Sequence, residues 1–91
     1  MGVATVEIPP RYRGVTRGSK QVEVEASSVL AGLEAVEAAY PGFRELVLDQ
    51  KGQIRRFVRL FLNGDELPRE DFDHAMGELD TLSVVTGAAG G

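Results

Sequence analysis

The sequence predicts an α+β fold in which one main helix packs on one face of a mixed β-sheet. Three patterns support this prediction. Stretches near both ends of the chain alternate apolar and polar residues, as strands with one buried face do. A single stretch between them has the apolar spacing of an amphipathic helix. The pair Asn63-Gly64 predicts a tight hairpin turn, because both residues tolerate positive φ.

Two strands are predicted near the N-terminus. Val3 to Ile8 alternates apolar and polar residues, and Pro9-Pro10 ends the strand. Residues 11–20 form a polar connection with several arginines, which we interpret as a solvated loop or as a docking surface. Gln21 to Glu25 alternates again, so the two strands should form an antiparallel hairpin with a long loop.

The helix is predicted directly after the second strand. Ser27 or Ser28 can accept a hydrogen bond from an otherwise unpaired backbone N–H at its start. The apolar residues that recur at spacings of three and four are Val29, Leu30, Leu33, Val36 and Tyr40. Pro41-Gly42 ends the helix, since proline cannot continue the hydrogen-bond ladder.

The second half of the chain is predicted to supply the remaining strands. Phe43 to Leu48 should form a short turn of helix that leads into a short strand, and Asp49 to Gly52 a turn. Ile54 to Leu62 is the most strand-like stretch, and a brief return follows the Asn63-Gly64 turn. The final strand is predicted to include Leu79 and to continue with Leu82 and Val84 facing inward.

One face of the predicted sheet carries exposed apolar residues. The charge of Arg59 indicates that its side of the third strand faces outward. Four residues are therefore candidates for a partner-binding patch: Phe57, Arg59, Phe61 and Val85. Two outward phenylalanines indicate either a surface that a partner covers or a second small core made with the connecting segments.

The order of elements predicts the arrangement of the sheet. Two strands, one crossover helix and three further strands are consistent with a β-grasp arrangement, in which the first and last strands lie side by side in the centre. The helix then covers one face of the sheet. The other face is left open.

Composition excludes several classes of function. The chain has 91 residues and no cysteine, so it is one domain without disulfides, a thiolate nucleophile or a thiolate metal site. A net charge of −4 argues against nucleic-acid binding. No apolar run approaches the roughly 20 residues of a membrane span, and we expect a cytoplasmic protein. His74 has no second histidine or cysteine with which to bind a metal, and no acid-base pair has a meaningful spacing.

The C-terminus predicts a segment that another protein can enclose. We divide the chain into a domain, residues 1–85, and a flexible tail, residues 86–91. The last five residues carry nothing larger than a methyl group: Gly87, Ala88, Ala89, Gly90 and Gly91. An extended tail of this length reaches roughly 20 Å, far enough to place the Gly91 carboxylate in a narrow active site. A frayed terminus or a cloning scar is the alternative.

From about Ser28 onward the sequence resembles the ubiquitin-like sulfur carriers of the ThiS/MoaD family, including the carriers that serve cysteine biosynthesis in actinobacteria. Besides the helix, the segments that carry this resemblance are Tyr40 to Leu46, Arg56 to Gly64 and the terminal Gly90-Gly91. The longer segment before the hairpin resembles the MoaD-like and cysteine-pathway carriers. Thr86-Gly87 departs from the family, whose tails often have a proline pair there, and this puts the particular partner in doubt.

The resemblance implies a protein-borne sulfur donor that is not itself an enzyme and binds no cofactor. An E1-like adenylating and sulfurtransferase enzyme would use ATP and Mg to activate Gly91, and a thiocarboxylate would follow. The implied partners also include a sulfur-accepting biosynthetic enzyme and a metalloprotease that acts at the C-terminus. Two alternatives stay open: a protein modifier that forms isopeptide bonds through Gly91, and a ubiquitin-fold binding module. The acceptor pathway, whether cysteine, molybdopterin, thiamin or a natural product, also stays open.

Overall fold

A computed structural model describes residues 2–87 of the chain. Its elements, in chain order, are β1 (Val3–Glu7), a 3-10 turn (Pro10–Tyr12), β2 (Gln21–Glu25), α1 (Val29–Ala39), α2 (Phe43–Val47), β3 (Val58–Leu62), β4 (Asp65–Glu66) and β5 (Thr81–Thr86). The strands form one mixed sheet in the order β2-β1-β5-β3-β4. The predicted α+β class, with one main helix on one face of a mixed sheet, is confirmed. None of the helices within residues 2–87 combines the length and apolar character needed to cross a bilayer.

The first and last strands lie side by side in the centre of the sheet, as predicted. β1 runs parallel to β5, with Thr5 opposite Thr81 and Val6 opposite Leu82. β2 pairs antiparallel with β1, and β3 pairs antiparallel with β5. Because β1 and β5 point the same way, their carboxyl ends meet at one end of the sheet.

Helix α1 closes the inner face of the sheet. Ser28 caps its start, where the side-chain oxygen accepts a hydrogen bond from the Ala31 N–H at 3.1 Å. The core that forms between α1 and the sheet contains fully buried aliphatic residues, which include Ala4, Val6, Val29, Leu33, Val36, Leu60 and Leu82. The apolar residues spaced by three and four in the helix, and those that alternate in the strands, therefore face the same core.

The third strand is shorter than predicted. It begins at Val58 rather than at Ile54, whose side chain is buried and which instead forms an isolated bridge with Leu48. The guanidinium of Arg69 donates hydrogen bonds to the carbonyl oxygens of Ile54 at 3.0 Å, Arg55 at 2.6 Å and Val58 at 2.6 Å. Because Arg69 satisfies these carbonyls, residues 54–57 turn away from the sheet instead of extending β3.

The prediction that Leu79 belongs to the last strand is wrong. Strand β5 begins at Thr81, and Leu79 is 87% exposed with a φ of 70°. The Gly77 N–H donates to the carboxylate of Asp80 at 2.8 Å, and the Asp80 N–H donates to the Gly77 carbonyl oxygen at 3.1 Å. These bonds close a turn over residues 77–80, and this turn points Leu79 into solvent.

The Asn63-Gly64 turn forms as predicted, with φ values of 52° and 90°. The Asn63 side chain also forms two hydrogen bonds at the start of β5. Its amide N–H donates to the Asp80 carboxylate at 3.0 Å, and its amide oxygen accepts from the Thr81 N–H at 2.9 Å. The Asn63 amide, and next the Gly77 N–H, hold the pKa of Asp80 below its ordinary value. The carboxylate therefore joins two turns at this end of the sheet.

We expect Asp80→Ala to lower the free energy of unfolding at neutral pH, because both turns lose their shared acceptor. The folded-state pKa of Asp80 lies below the unfolded value of about 3.9, so the contribution is complete above that value and is lost as the pH falls through the folded pKa. Urea denaturation from neutral pH to below about pH 4 measures this effect. A gap between wild type and variant that widens in acid would contradict it.

Candidate functional site: the open face and the base of the tail

The chain leaves the sheet beside Phe57. Thr86 pairs with Val58 at the end of β5, and the Gly87 N–H donates to the carbonyl oxygen of Phe57 at 3.1 Å. Strand β5 thus continues one residue beyond the predicted domain boundary. Of the residues predicted to be enclosed by a partner, Gly87 is described, whereas Ala88, Ala89, Gly90 and Gly91 lie outside the described residues.

The face of the sheet opposite α1 carries the residues predicted to bind a partner. Arg59 lies opposite Val85, and Phe61 lies opposite Ser83, on the outward side of β3 and β5. Phe57 is 53% exposed and Val85 39% exposed, whereas Phe61 is half-buried. The predicted outward direction is confirmed. The role of these residues in partner binding stays a prediction.

Charged side chains flank the apolar part of this open face. The guanidinium of Arg56 lies over the ring of Phe57, 5.5 Å from its centroid. Arg59 forms an exposed ion pair with Glu66 across β3 and β4, with 3.8 Å between Nε and Oε2. An exposed pair of this length contributes little to stability. Arg56 therefore places a positive charge over the exposed ring of Phe57, next to the point where the tail begins.

A groove of about 380 Å³ lies on the other side of the tail's base. Its apolar lining includes Ile8, Pro9 and Val85, and Arg13 and Lys20 are the basic residues that line it. No pattern in the sequence predicts this groove, because its walls come from β1, β5 and the connection between β1 and β2. The several arginines of residues 11–20 were the only signal of it in the sequence.

The connection that borders the groove is held by specific bonds rather than being only a solvated loop. Thr16 is buried, and its hydroxyl donates to the Ser19 carbonyl oxygen at 2.9 Å. The Tyr12 hydroxyl donates to the Leu46 carbonyl oxygen at 3.0 Å, and its partial burial raises the Tyr12 pKa. Arg13 Nε donates to the Ile8 carbonyl oxygen at 3.0 Å. These contacts fix the direction in which the connection presents its basic side chains.

The open face ends in a polar contact between the two central strands. The Ser83 hydroxyl donates to the carboxylate of Glu7 at 2.6 Å, and both residues also line the groove. The groove therefore opens onto the same face as Phe61 and Val85. One partner can cover both surfaces at once.

The carboxyl groups with perturbed pKa values among the described residues belong to turns of the fold. Within residues 2–87, no group of three or more His, Asp or Glu side chains is placed to hold a metal ion. The carboxyl groups with lowered pKa values, Asp49 and Asp80, accept hydrogen bonds inside turns and lie away from the open face. Their pKa shifts have a structural cause.

Known proteins resemble this chain over almost its whole length. No family model matches it. The sulfur carrier protein CysO of Mycobacterium tuberculosis is 29% identical over 90 residues, which span 96% of this chain and 97% of the relative.

Solved structures show the same fold. CysO in the crystal structure of the Amycolatopsis orientalis BexX/CysO complex superposes with a TM-score of 0.85 and 26% identity, over 97% of this chain and 99% of the other. Small archaeal modifier protein 1 of H. volcanii superposes with a TM-score of 0.80 over 97% of this chain and 100% of the other. Its identity of 19% relates the two chains by fold alone.

Proposed function

We propose that the chain is a ubiquitin-like sulfur carrier of the ThiS/MoaD type, as its similarity to the CysO carriers supports, and that its Gly91 carboxylate carries sulfur as a thiocarboxylate. The observation that supports the proposal is the position of the tail. Strand β5 delivers Gly87 to the edge of an exposed apolar patch, and the chain then continues through small residues to Gly90-Gly91. A tail in this position can enter an active site while the patch holds the domain against the same enzyme.

The proposed chemistry occurs on the C-terminal carboxylate. An E1-like enzyme transfers AMP from ATP, with Mg, to a Gly91 oxygen and releases pyrophosphate. Sulfide then attacks the acyl carbon, and AMP leaves with the carboxyl oxygen. Where an enzyme persulfide attacks instead, a second thiol must reduce the resulting acyl disulfide to release the thiocarboxylate and leave a disulfide on the enzyme. The chain contributes the acyl group and binds no cofactor, so it acts as a substrate of its partners rather than as an enzyme. The small tail residues let the enzyme close around the anhydride and exclude water.

The acceptor is an enzyme that takes up the sulfur in biosynthesis. Similarity to the CysO carriers favours the cysteine pathway over molybdopterin, thiamin or a natural product. A metalloprotease that acts at the C-terminus is a further proposed partner. The dependence on ATP leads us to propose a cytoplasmic location. The likeness to small archaeal modifier protein 1 concerns the fold alone and does not favour a protein modifier.

Mass spectrometry tests the proposed function directly. The chain is incubated with its activating enzyme, ATP, Mg and sulfide, and the expected product has one C-terminal oxygen replaced by sulfur. Omitting ATP provides the control and should leave the mass unchanged. The absence of this exchange, or the formation of lysine-linked conjugates in its place, would contradict the proposal.

The open face should supply most of the affinity for the activating enzyme, because a tail of glycine and alanine loses conformational freedom when it binds. We expect Phe61→Ala to weaken the complex by more than about 1 kcal/mol, since aromatic residues often dominate interfaces. The same change should lower stability less than Leu60→Ala, because Leu60 is fully buried. Titration calorimetry and denaturant unfolding measure the two effects.

Leu79→Ala is the matched control for this prediction. Leu79 is also a large exposed apolar residue, but it lies at the opposite end of the sheet from the tail. Its replacement should leave the affinity unchanged. Equal losses for Phe61→Ala and Leu79→Ala would show that the open face has no special role, and unchanged affinity in a folded Phe61→Ala protein would place the interface elsewhere.

A further inference from the structure

The positive charges of the chain are concentrated where the tail leaves the sheet. The connection after β1 carries Arg11, Arg13, Arg17 and Lys20 without an acidic residue. The turn before β3 adds Arg55 and Arg56 at the same end of the sheet. Residues 21–43 and 70–91 contain no lysine or arginine at all. A chain with a net charge of −4 thus has one basic end.

Most of these charges have no carboxylate partner within the described residues. In residues 2–87 the ion pairs are Arg44 with Glu34, at 3.0 Å, and Arg59 with Glu66, at 3.8 Å. The four basic residues of the connection after β1 take no part in either. Like charges repel, so an anion that binds among these cations lowers their mutual repulsion.

The groove places two of these positive charges at a defined site. Arg13 and Lys20 line it, and the bond from Arg13 Nε to the Ile8 carbonyl oxygen fixes the guanidinium while leaving its two Nη groups available. A guanidinium held in this way suits a carboxylate, which it can bind through two parallel hydrogen bonds. Glu7 also lines the groove, and its carboxylate accepts a hydrogen bond from the Ser83 hydroxyl. Its single negative charge is smaller than the two positive charges of Arg13 and Lys20.

We propose that this groove binds an acidic segment of the activating enzyme, an inference that rests on the proposed function of the tail. An Asp or Glu carboxylate of that segment pairs with Arg13 and Lys20, and an adjacent apolar side chain packs against Pro9 and Val85. A free inorganic anion would leave the apolar lining exposed. The contiguity of the groove with the open face lets one enzyme cover the groove, the patch and the tail together.

Variants that remove or reverse a positive charge in the groove test the proposal. The dissociation constant for the activating enzyme is measured for Lys20→Glu and Arg13→Gln at low and at high salt. Both variants should bind at least about tenfold more weakly at low salt, and the difference from wild type should shrink at high salt. Arg17→Glu is the matched control, since it makes the same charge change on the same connection outside the groove. It should change the constant by less than about threefold.

Each other outcome overturns the inference. Equal weakening by Arg17→Glu and Lys20→Glu would mean that only the long-range field matters. Unchanged binding by folded groove variants would mean that the enzyme does not use the groove, and tighter binding would mean that the enzyme presents a cation there rather than a carboxylate. Lys20→Glu guards against misfolding, because the Lys20 side chain makes no hydrogen bond within the described residues, unlike that of Arg13.

A second measurement separates this inference from the proposed function. If the wild-type chain neither binds nor is activated by such an enzyme, the proposed function fails. The groove is then tested by NMR with a blocked synthetic peptide of Glu, Asp and Leu, against the same peptide with Gln and Asn in place of the acids. Shifts confined to the groove and specific to the acidic peptide would support the site. Equal shifts with both peptides, or none, would overturn it.

Discussion

Deletion of Gly91 is expected to abolish ATP-dependent activation while leaving the folded domain intact. Removal of one residue withdraws the carboxylate by about 3.3 to 3.6 Å from the position in which it must attack the α-phosphate of ATP. A misplacement of about 1 Å can already cost about a hundredfold in rate. Gly90→Val should have the same effect, because a branched side chain next to the reacting group prevents the enzyme from closing around it.

AMP formation with the purified activating enzyme measures this prediction. Ala88→Gly is the matched control, because it changes the tail without adding a side chain, and it should retain activation. The free energy of unfolding of all three variants should stay within about 0.5 kcal/mol of wild type, since the changes lie beyond strand β5, which ends at Thr86. Undiminished AMP formation after deletion of Gly91 would exclude the terminal carboxylate as the acceptor of AMP.

Leu33→Ala is expected to lower the free energy of unfolding by about 2 to 5 kcal/mol. Leu33 is fully buried between α1 and the sheet, and its truncation leaves a cavity in the only large core that the described residues form. Truncation of Leu33 should shift the midpoint of urea unfolding without changing the m-value, because the surface exposed on unfolding is nearly the same.

The neighbouring Glu34 supplies the comparison. It lies on the exposed side of α1 and forms an ion pair with Arg44 at 3.0 Å, in which both side chains are accessible to solvent. Such a pair is worth at most about 1 kcal/mol, so Glu34→Ala should be far less destabilising than Leu33→Ala. A reversed order would show that α1 is rotated about its axis relative to this structure.

The parts of the fold that the sequence predicts are those governed by local chemistry. Ser28 and Pro41 delimit α1 because capping and the proline ring act within a few residues. The alternation around Arg59 predicts correctly which side of β3 faces outward, since successive side chains of a strand point to opposite faces.

The errors come from contacts between distant residues. The start of β3 depends on Arg69, whose guanidinium bonds the carbonyls of residues 54, 55 and 58, and no pattern near Ile54 reveals this. Leu79 has the residue type of a strand but lies in a turn that Asp80 closes. The groove beside the tail was missed for the same reason, because it exists only after β1 and β5 pair and the connection after β1 folds against them.

The placement of β5 between β1 and β3 also affects how the chain can fold during its synthesis. Until residues 81–86 have been made, β1 and β3 each lack a neighbour, and two strands with apolar inner faces present unpaired edges. Such edges recruit other chains and favour aggregation. Closing the sheet also joins segments near opposite ends of the sequence, a topology that slows folding. Nascent chains that stall before Thr81 should therefore be prone to aggregation. The residues that we propose to be activated follow the strand that completes the sheet.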